Sequence, residues 1–207
     1  DDGTVRLWDP ATGAAKSPPL RVSDGRVLDA AFSPNGQWIL TASDDKTARI
    51  FSVEDHSQHI RFVGHEWAVL RARFASDGRF VITGSEDNTA RIWNVEDGTE
   101  VTRLAGHTGA VTAVALSPDL RRAVTGSVDN SVKLWDARTG KEILTLGEHD
   151  EAITSVSFSP DGQTILSSGR DGRTLLWPAA PWDDAPIQQS RRRSRPHIAQ
   201  DRQIPNR

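Results

Sequence analysis

The stretch AGHTGAVTAVALSPDLRRAVTGSVDNSVKLWDARTGKEILTL, residues 105–146, alternates short apolar runs with turn residues and decides the fold. Its runs at 110–117, 122–127, 131–136 and 142–147 have the length and two-residue alternation of β-strands. Turn-forming residues separate these runs. The stretch therefore predicts one small sheet of four antiparallel strands, and no segment of the chain shows convincing helical periodicity.

The same pattern returns along the chain at a nearly constant interval. One aromatic residue closes each third strand, at spacings of 43, 42, 42 and 42 residues: Trp8, Phe51, Trp93, Trp135 and Trp177. A fixed period of this length indicates one supersecondary unit that is repeated, rather than a single irregular domain. The period divides the chain into units at 1–20, 21–62, 63–104, 105–146 and 147–182, followed by a tail at 183–207.

The turn after the first strand of each unit is also regular. Asn35-Gly36, Asp77-Gly78 and Asp161-Gly162 occupy the same phase, and such pairs tolerate the positive φ angles of tight turns. The fourth equivalent is Asp119-Leu120, so we expect this turn to be of a different kind and somewhat strained.

The composition excludes several classes of protein. The 207 residues are 36% apolar and 26% charged with a net charge of −3, which does not indicate a disordered, fibrous or membrane-embedded chain. No run approaches the roughly 18 apolar residues of a transmembrane helix. The absence of cysteine excludes disulfides and thiolate metal sites. Methionine is absent even at position 1, so we expect an upstream polypeptide, with any N-terminal targeting information, to precede this chain.

Histidine, hydroxyl and carboxylate side chains recur 28, ten and six residues before the aromatic residue. Three units carry the set: His65, Thr83, Asp87 and Trp93; His107, Thr125, Asp129 and Trp135; His149, Ser167, Asp171 and Trp177. These residue types are also the inventory of a nucleophilic hydrolase. Three copies at one phase indicate a structural role instead, because an enzyme needs a single site in a dedicated pocket. We therefore expect no catalytic residue among them.

The pairs Gly64-His65 and Gly106-His107, the Asp six residues before the aromatic residue, and the pairs Trp8-Asp9 and Trp135-Asp136 resemble WD40 repeats. The resemblance covers residues 1 to about 182 and implies an all-β propeller. It also implies a buried relay of hydrogen bonds from the Trp N–H through a hydroxyl and the imidazole to the Asp. The hydroxyl is either the one ten residues before the Trp or a serine eight before it: Ser43, Ser85 and Ser127.

The unit at 21–62 departs from this pattern. Phe51 stands in place of Trp and Ser23 in place of His, while Thr41 and Asp45 remain. Loss of the indole donor and the histidine together leaves fewer unsatisfied hydrogen-bonding groups than loss of either one alone. We expect this blade to be the loosest of the four.

The strand count predicts a partial propeller, with three four-stranded blades and an incomplete blade at each end. Residues 1–20 supply a third and a fourth strand, and 147–182 supply three strands before prolines that disfavour a fourth. By resemblance, the parent ring has seven blades, and the upstream part of the same polypeptide completes it. The open faces would expose Val5, Leu7, Ile165 and Leu176, so we expect the isolated chain to self-associate.

The resemblance also implies which positions contact a partner protein at one rim of the ring. They lie three and five residues after the histidine and one before the turn Asp. The candidates are Arg26, Leu28, Asp44, Ala68, Leu70, Glu86 and Arg170, with Ala110, Thr112, Val128, Ala152 and Thr154 at the same phases. Trp67 lies beside this set, and either packs into the junction between blades or is an exposed anchor for a partner.

Two basic features do not require nucleic acid. A cation lies two residues before the aromatic residue in four units, and we expect its stem to pack between blades with its head at the surface: Arg6, Arg49, Arg91 and Lys133. The tail at 183–207 contains RRRSR and is predicted to be disordered. No aromatic residues interleave with that cluster for base stacking, so we do not expect nucleic acid as a partner.

These observations favour a protein–protein interaction scaffold without catalytic activity or cofactor, and with no metal site. The sequences of the repeats resemble those of bacterial WD40-rich proteins. We expect a cytoplasmic location. Some such proteins append the propeller to a serine/threonine kinase. The alternative is therefore a propeller that positions substrates for, or regulates, a larger signalling enzyme. A propeller enzyme or sugar-binding propeller is disfavoured because the innermost strands carry Ala, Val, Leu, Ser and Thr in repeat register, apart from Arg71 and Arg73.

Overall fold

The computed structural model describes residues 2–178 and 197–198, and every regular element in these ranges is a β-strand. The first sheet contains β1 Thr4–Val5 and β2 Leu20–Arg21. The second contains β3 Val27–Phe32, β4 Trp38–Ser43, β5 Thr47–Ser52 and β6 Gln58–Val63; the third β7 Val69–Phe74, β8 Phe80–Ser85, β9 Thr89–Asn94 and β10 Glu100–Ala105. The fourth contains β11 Val111–Leu116, β12 Arg122–Ser127, β13 Ser131–Asp136 and β14 Glu142–Glu148; the fifth β15 Ile153–Phe158, β16 Thr164–Gly169, β17 Thr174–Pro178 and β18 His197–Ile198. The predicted all-β fold class is confirmed.

Each four-stranded sheet is an antiparallel meander in which chain neighbours are also hydrogen-bonded neighbours. The first two strands of all four sheets share one irregularity. Their register shifts by one residue after Val27, Val69, Val111 and Ile153, as in a β-bulge. The repeat therefore extends from the sequence to the details of strand pairing.

Neighbouring sheets pack face to face in chain order. The first strands β3, β7, β11 and β15 contact one another in succession, and three apolar clusters fill the spaces between the four-stranded sheets. In the described residues this row of sheets does not close into a ring, so the architecture is that of a partial propeller.

The outer face of the fifth sheet shows what an uncovered blade looks like. Leu166 and Leu176 pair across β16 and β17 and are 38% and 46% exposed. One repeat earlier, Val124 and Leu134 are buried because the fifth sheet covers them. Leu176 therefore lies on an open face, as expected.

Two other residues expected on open faces are buried. Ile165 lies on the opposite side of β16 from Leu166 and joins the cluster shared with the fourth sheet. Leu7, which follows β1 in the chain, is also buried. The expectation was wrong for Ile165 because alternate residues of a strand point to opposite faces. Leu7 stands at the phase of Ile50 and Ile92, whose side chains the next sheet along the chain covers.

The last blade differs from the expected three strands. The two-residue strand β18 pairs with Leu175 and Leu176 of β17, at the edge where the sequence disfavours a regular fourth strand. The expected disorder of 183–207 otherwise concerns residues outside the described ranges.

The Asp119-Leu120 turn is the same turn that the other blades form with glycine. Leu120 has a φ of 61°, and its N–H donates to the Ser117 carbonyl over 2.9 Å, as Gly36 donates to Ser33. The prediction of a different turn was therefore wrong. The expected strain is present, because a leucine at positive φ costs of the order of 1–3 kcal/mol.

Candidate functional site

A chain of three hydrogen bonds connects the first loop of the third sheet to its strands. The Trp93 indole N–H donates to Thr83 Oγ1 over 2.9 Å, and that hydroxyl lies 2.7 Å from His65 Nε2. The other imidazole nitrogen, His65 Nδ1, lies 2.8 Å from Asp87 Oδ2. These partners suit the tautomer with its proton on Nδ1, which donates to Asp87 and leaves Nε2 to accept the threonine O–H.

The fourth and fifth sheets repeat this relay. His107 Nε2 lies 2.7 Å from Thr125 Oγ1, and the corresponding distance from His149 to Ser167 Oγ is 2.9 Å. The hydroxyl ten residues before the Trp is therefore the one that takes part. The serines eight residues before it have another role: Ser85 and Ser127 donate to loop carbonyls. Their bonds attach the same loop to the second strand.

The electrostatics of the relay suit a structural tie. Burial lowers the pKa of His107 below its ordinary value, against the opposing hydrogen bond and charge of Asp129. Burial would raise the pKa of Asp129, but hydrogen bonds from Ser131 and Thr108 lower it to about 2. The Asp is therefore ionised and the imidazole is neutral at pH 7. The relay histidines are buried, which leaves a substrate no direct access to them.

The second sheet has a different network in the same place. Ser23 Oγ lies 2.6 Å from Ser43 Oγ and donates to Asp45 Oδ2 over 2.9 Å. Arg49 donates to the same carboxylate over 2.7 Å and to the Val22 carbonyl over 2.6 Å. The arginine and Ser23 together replace the missing histidine as ties between the loop and the strands.

The cations of the third strands are paired with carboxylates. Arg91 lies 2.5 Å from Glu100 and Lys133 lies 2.8 Å from Glu142, in the same relation along the sheet. Arg49 is buried and pairs with the half-buried Asp45, whereas Arg6 is exposed. The heads of three of these four cations are therefore engaged within the protein, which leaves them unsuited to binding phosphates.

Residues 2–178 and 197–198 contain neither a candidate metal site nor a candidate membrane-spanning helix. These ranges contain no group of three His, Cys, Asp or Glu side chains placed to hold a metal ion. They also contain no helix that is long and apolar enough to cross a membrane.

The candidate partner positions lie at one end of the sheets, which we call the histidine end; it comprises the relay loops and the turns between second and third strands. Trp67 is 60% exposed there, and the Lys46 ammonium lies 5.6 Å from the centre of its ring. Trp67 is thus not packed into a junction between blades. Lys46 was not among the predicted positions, because its contact with Trp67 joins two different repeats.

Charged side chains also lie at the histidine end. Arg26 Nε lies 2.8 Å from Asp44 Oδ2, and the Arg26 backbone N–H donates to the other oxygen of that carboxylate. The Asp44 hydrogen bond and charge, followed by the Glu86 charge, raise the pKa of Arg26 above its ordinary value. The charge of Arg26 therefore interacts favourably with those of Asp44 and Glu86 at this end.

The other predicted positions contribute less surface here. Ala68 is buried, and Leu28 and Leu70 are half-buried on the inner strands. Arg170 is exposed but belongs to the fifth sheet, two sheets away from Trp67. Val128 and Thr154 are exposed, while Ala110, Thr112 and Ala152 are half-buried.

Comparison with known proteins agrees with this geometry. A family model described as "WD domain, G-beta repeat" matches residues 18–52, 56–94, 98–136 and 140–178, which is more than half of the chain. The chain is 36% identical over 70 residues to "Nuclear distribution protein PAC1-2" of Uncinocarpus reesii. That stretch covers 33% of this chain and 15% of the length of that relative.

Proposed function

The chain belongs to the WD40-repeat family, whose domains generally mediate protein interactions, and we propose that it is a non-catalytic scaffold that binds a partner protein at the histidine end. The exposed indole of Trp67 carries this proposal. Tryptophan is enriched among the residues that dominate binding energy at protein interfaces. A large ring left mostly in water at the end of a rigid sheet is therefore a suitable anchor.

The position of Lys46 supports the same surface. Lys46 has a φ of 71°, whereas the same turn position holds Asn88, Asn130 and Gly172 in the other blades. Asparagine and glycine adopt this left-handed conformation readily and lysine does not. The strained lysine places its ammonium over Trp67, and backbone strain of this kind clusters at functional sites.

Matched variants test the proposal. Trp67→Ala removes the anchor, and Lys46→Asn removes the cation while keeping a residue suited to the turn. Trp8→Ala is the control, because Trp8 is 56% exposed but belongs to the first sheet. We expect partners retained by the wild-type and Trp8→Ala proteins in quantitative affinity purification to be lost with Trp67→Ala and weakened with Lys46→Asn. Equal retention by all four proteins would contradict the proposal.

We also propose that a further β-sheet covers Leu166 and Leu176 in the complete protein. The same positions in the three preceding four-stranded sheets are buried by the next sheet along the chain: Leu40 and Ile50, Ile82 and Ile92, Val124 and Leu134. A blade supplied by the upstream part of the same polypeptide would shelter the fifth sheet in the same manner. A longer polypeptide that includes that part should protect the amides of β16 and β17 from hydrogen exchange more strongly than the 207-residue chain does.

A further inference from the structure

A cavity of about 450 Å³ lies between the third and fourth sheets, at the end opposite to the histidine end. Phe80, Ile92 and Val101 of the third sheet form one wall, and Leu116 and Leu120 of the fourth form the other. Its volume falls within the roughly 300–1,000 Å³ of pockets that bind ligands. Arg121 and Arg138 lie at the charged side of this lining.

The two neighbouring junctions have other side chains at the corresponding place. Between the second and third sheets, Trp38 and His59 stack with ring centres 4.6 Å apart. These residues stand one repeat before Phe80 and Val101, whose side chains are smaller. The lining of the cavity therefore differs from the residues at the same place in the preceding junction.

Between the fourth and fifth sheets, a buried arginine takes that place. The Arg122 guanidinium lies 5.7 Å from the centre of the Phe158 ring and donates to the Gly162 carbonyl over 2.8 Å. Arg122 stands one repeat after Phe80. Only the middle of these three junctions lines the space with aliphatic side chains and one phenylalanine.

Leu120 forms part of the cavity wall in spite of its backbone strain. Gly78 and Gly162 hold the same position in the adjacent sheets and lie against Pro34 and Pro118 of the preceding blade. The residue one repeat after Pro34 and one before Pro118 is Ser76, a smaller and more polar side chain. Strained residues persist where the surrounding structure determines them and cluster at functional sites. A leucine here adds apolar wall where glycine would add none.

Two arginines and one aspartate supply the charges beside the cavity, and they differ in how far their side chains are already bonded within the protein. Arg121 and Arg138 are exposed, and within the described part of the chain neither lies within 4.0 Å of a carboxylate oxygen. Asp136 also lines the cavity, but its Oδ1 accepts hydrogen bonds from the backbone N–H groups of Arg138 and Thr139 and from the Thr139 hydroxyl. The lining therefore carries two guanidinium charges against one carboxylate, a net positive charge at the rim.

We propose that this cavity binds a segment of a partner protein in which a leucine-sized apolar side chain is flanked by Asp or Glu. The apolar side chain enters between Phe80 and Leu120, and the carboxylates meet Arg121 and Arg138. This is a second binding site, at the opposite end of the strands from Trp67, and it does not depend on the function proposed for that end.

Fluorescence anisotropy of the full 207-residue chain with labelled peptides tests the site. The probe is Asp-Glu-Leu-Glu-Asp, and the comparison peptides replace its leucine by alanine or its acidic residues by lysine. We expect the probe to bind at least about tenfold more tightly than either comparison peptide, because each lacks one of the two interactions. Absence of probe binding at millimolar concentration, or equal binding of the alanine peptide, would overturn the proposal.

Variants of the wall locate the binding. Phe80→Trp combined with Val101→His introduces the residues that fill the preceding junction and should weaken the probe about tenfold. Leu120→Gly restores the residue of the other three turns, so the fold is retained, and should weaken probe binding severalfold.

Arg121→Gln with Arg138→Gln should weaken probe binding and reduce its salt dependence. Undiminished affinity in the Leu120→Gly and double-arginine variants would overturn the proposal. Trp67→Ala should leave the probe's affinity unchanged, which separates this site from the histidine end.

Discussion

Gly64 lies against the indole of Trp93 so closely that a β-carbon added to Gly64 would come within 2.9 Å of the ring atom Cη2, and within 2.8 Å of the flexible end of the Arg91 side chain. Gly106 has the same relation to Trp135, at 3.1 Å. The glycine of the Gly-His pair is therefore required by the tryptophan of its own blade. In the second sheet, Val22 holds the glycine position and Phe51 the tryptophan position, and both are buried. The larger residue at one position accompanies the smaller ring at the other.

Gly64→Ala should destabilise the protein by about 1–3 kcal/mol, because the added methyl group overpacks a buried ring. In a Trp93→Phe background the same substitution should cost less, since the outer part of the indole is gone. Urea unfolding of the two single variants and the double variant measures this coupling. Equal costs in both backgrounds would show that the ring is not what excludes the side chain.

Thr83→Val should cost about 2 kcal/mol, because it leaves the Trp93 indole N–H and the His65 imidazole without their shared buried partner. Thr41→Val is the matched control in the second sheet. There the hydroxyl donates to the Arg49 carbonyl over 3.4 Å, so the expected loss is below about 1 kcal/mol. Urea unfolding at pH 7 compares the two. A Thr41→Val loss as large as that of Thr83→Val would mean that the relay adds nothing beyond a buried hydroxyl.

The choice between the hydroxyls of Thr83 and Ser85 as the relay member shows what the sequence could and could not predict. The strands, turns and repeat follow from local alternation, which every unit displays. Thr83 and Ser85 are two residues apart and therefore point to the same face of β8, so alternation cannot separate them. Only the position of the Trp93 ring decides between them.

Contacts between different repeats are the second feature that the sequence does not predict. Lys46 and Trp67 meet across neighbouring sheets, and no other unit has a tryptophan at that phase from which the contact could be inferred. The cavity beside Leu120 depends likewise on three positions of two repeats that all differ from their equivalents. A period describes what the units share, whereas these sites arise where the units differ.

The stability of the protein should fall as the pH drops below about 6.5, the ordinary value for an unfolded histidine. Burial lowers the pKa of His107 in the folded state, so the unfolded chain takes up a proton that the folded one does not. NMR titration of the imidazole should give a midpoint below 6.5. Asp129→Asn should lower it further, because the Asp129 hydrogen bond and charge favour the protonated ring. A midpoint above 6.5 would contradict a neutral relay.

A separate loss is expected in acid. The pKa of Asp129 is about 2 in the folded state against an ordinary value of 3.8. The stability that this ionised carboxylate contributes is therefore complete above about pH 4 and is lost between pH 4 and 2. Unfolding measured across this range should be less pH-dependent in Asp129→Asn than in the wild-type protein.

The open face of the fifth sheet should make the 207-residue chain self-associate. Each leucine sheltered by association contributes about 1 kcal/mol, less than the 1.5–3 kcal/mol of complete burial. Leu166→Glu with Leu176→Glu should shift the protein to monomer in sedimentation velocity. Leu144→Glu is the control, because Leu144 is 53% exposed but lies on β14 of the fourth sheet. A monodisperse wild-type monomer, or an equal effect of the control, would exclude this face as the cause.

The second sheet should accept a restored relay. Thr41 and Asp45 are present, so Val22→Gly, Ser23→His and Phe51→Trp together supply the missing imidazole, indole and ring space. We expect the free energy of unfolding of the triple variant to exceed, by about 1–2 kcal/mol, the value obtained by adding the effects of the single substitutions, since each new donor gains a partner only when the others are present.

Phe51→Trp alone should destabilise the protein by about 1–3 kcal/mol, because Val22 occupies the place that the indole needs. Urea unfolding gives the energies. Hydrogen exchange of the new indole N–H reports its bond to Thr41, and rapid exchange of that proton in the triple variant would refute the restoration.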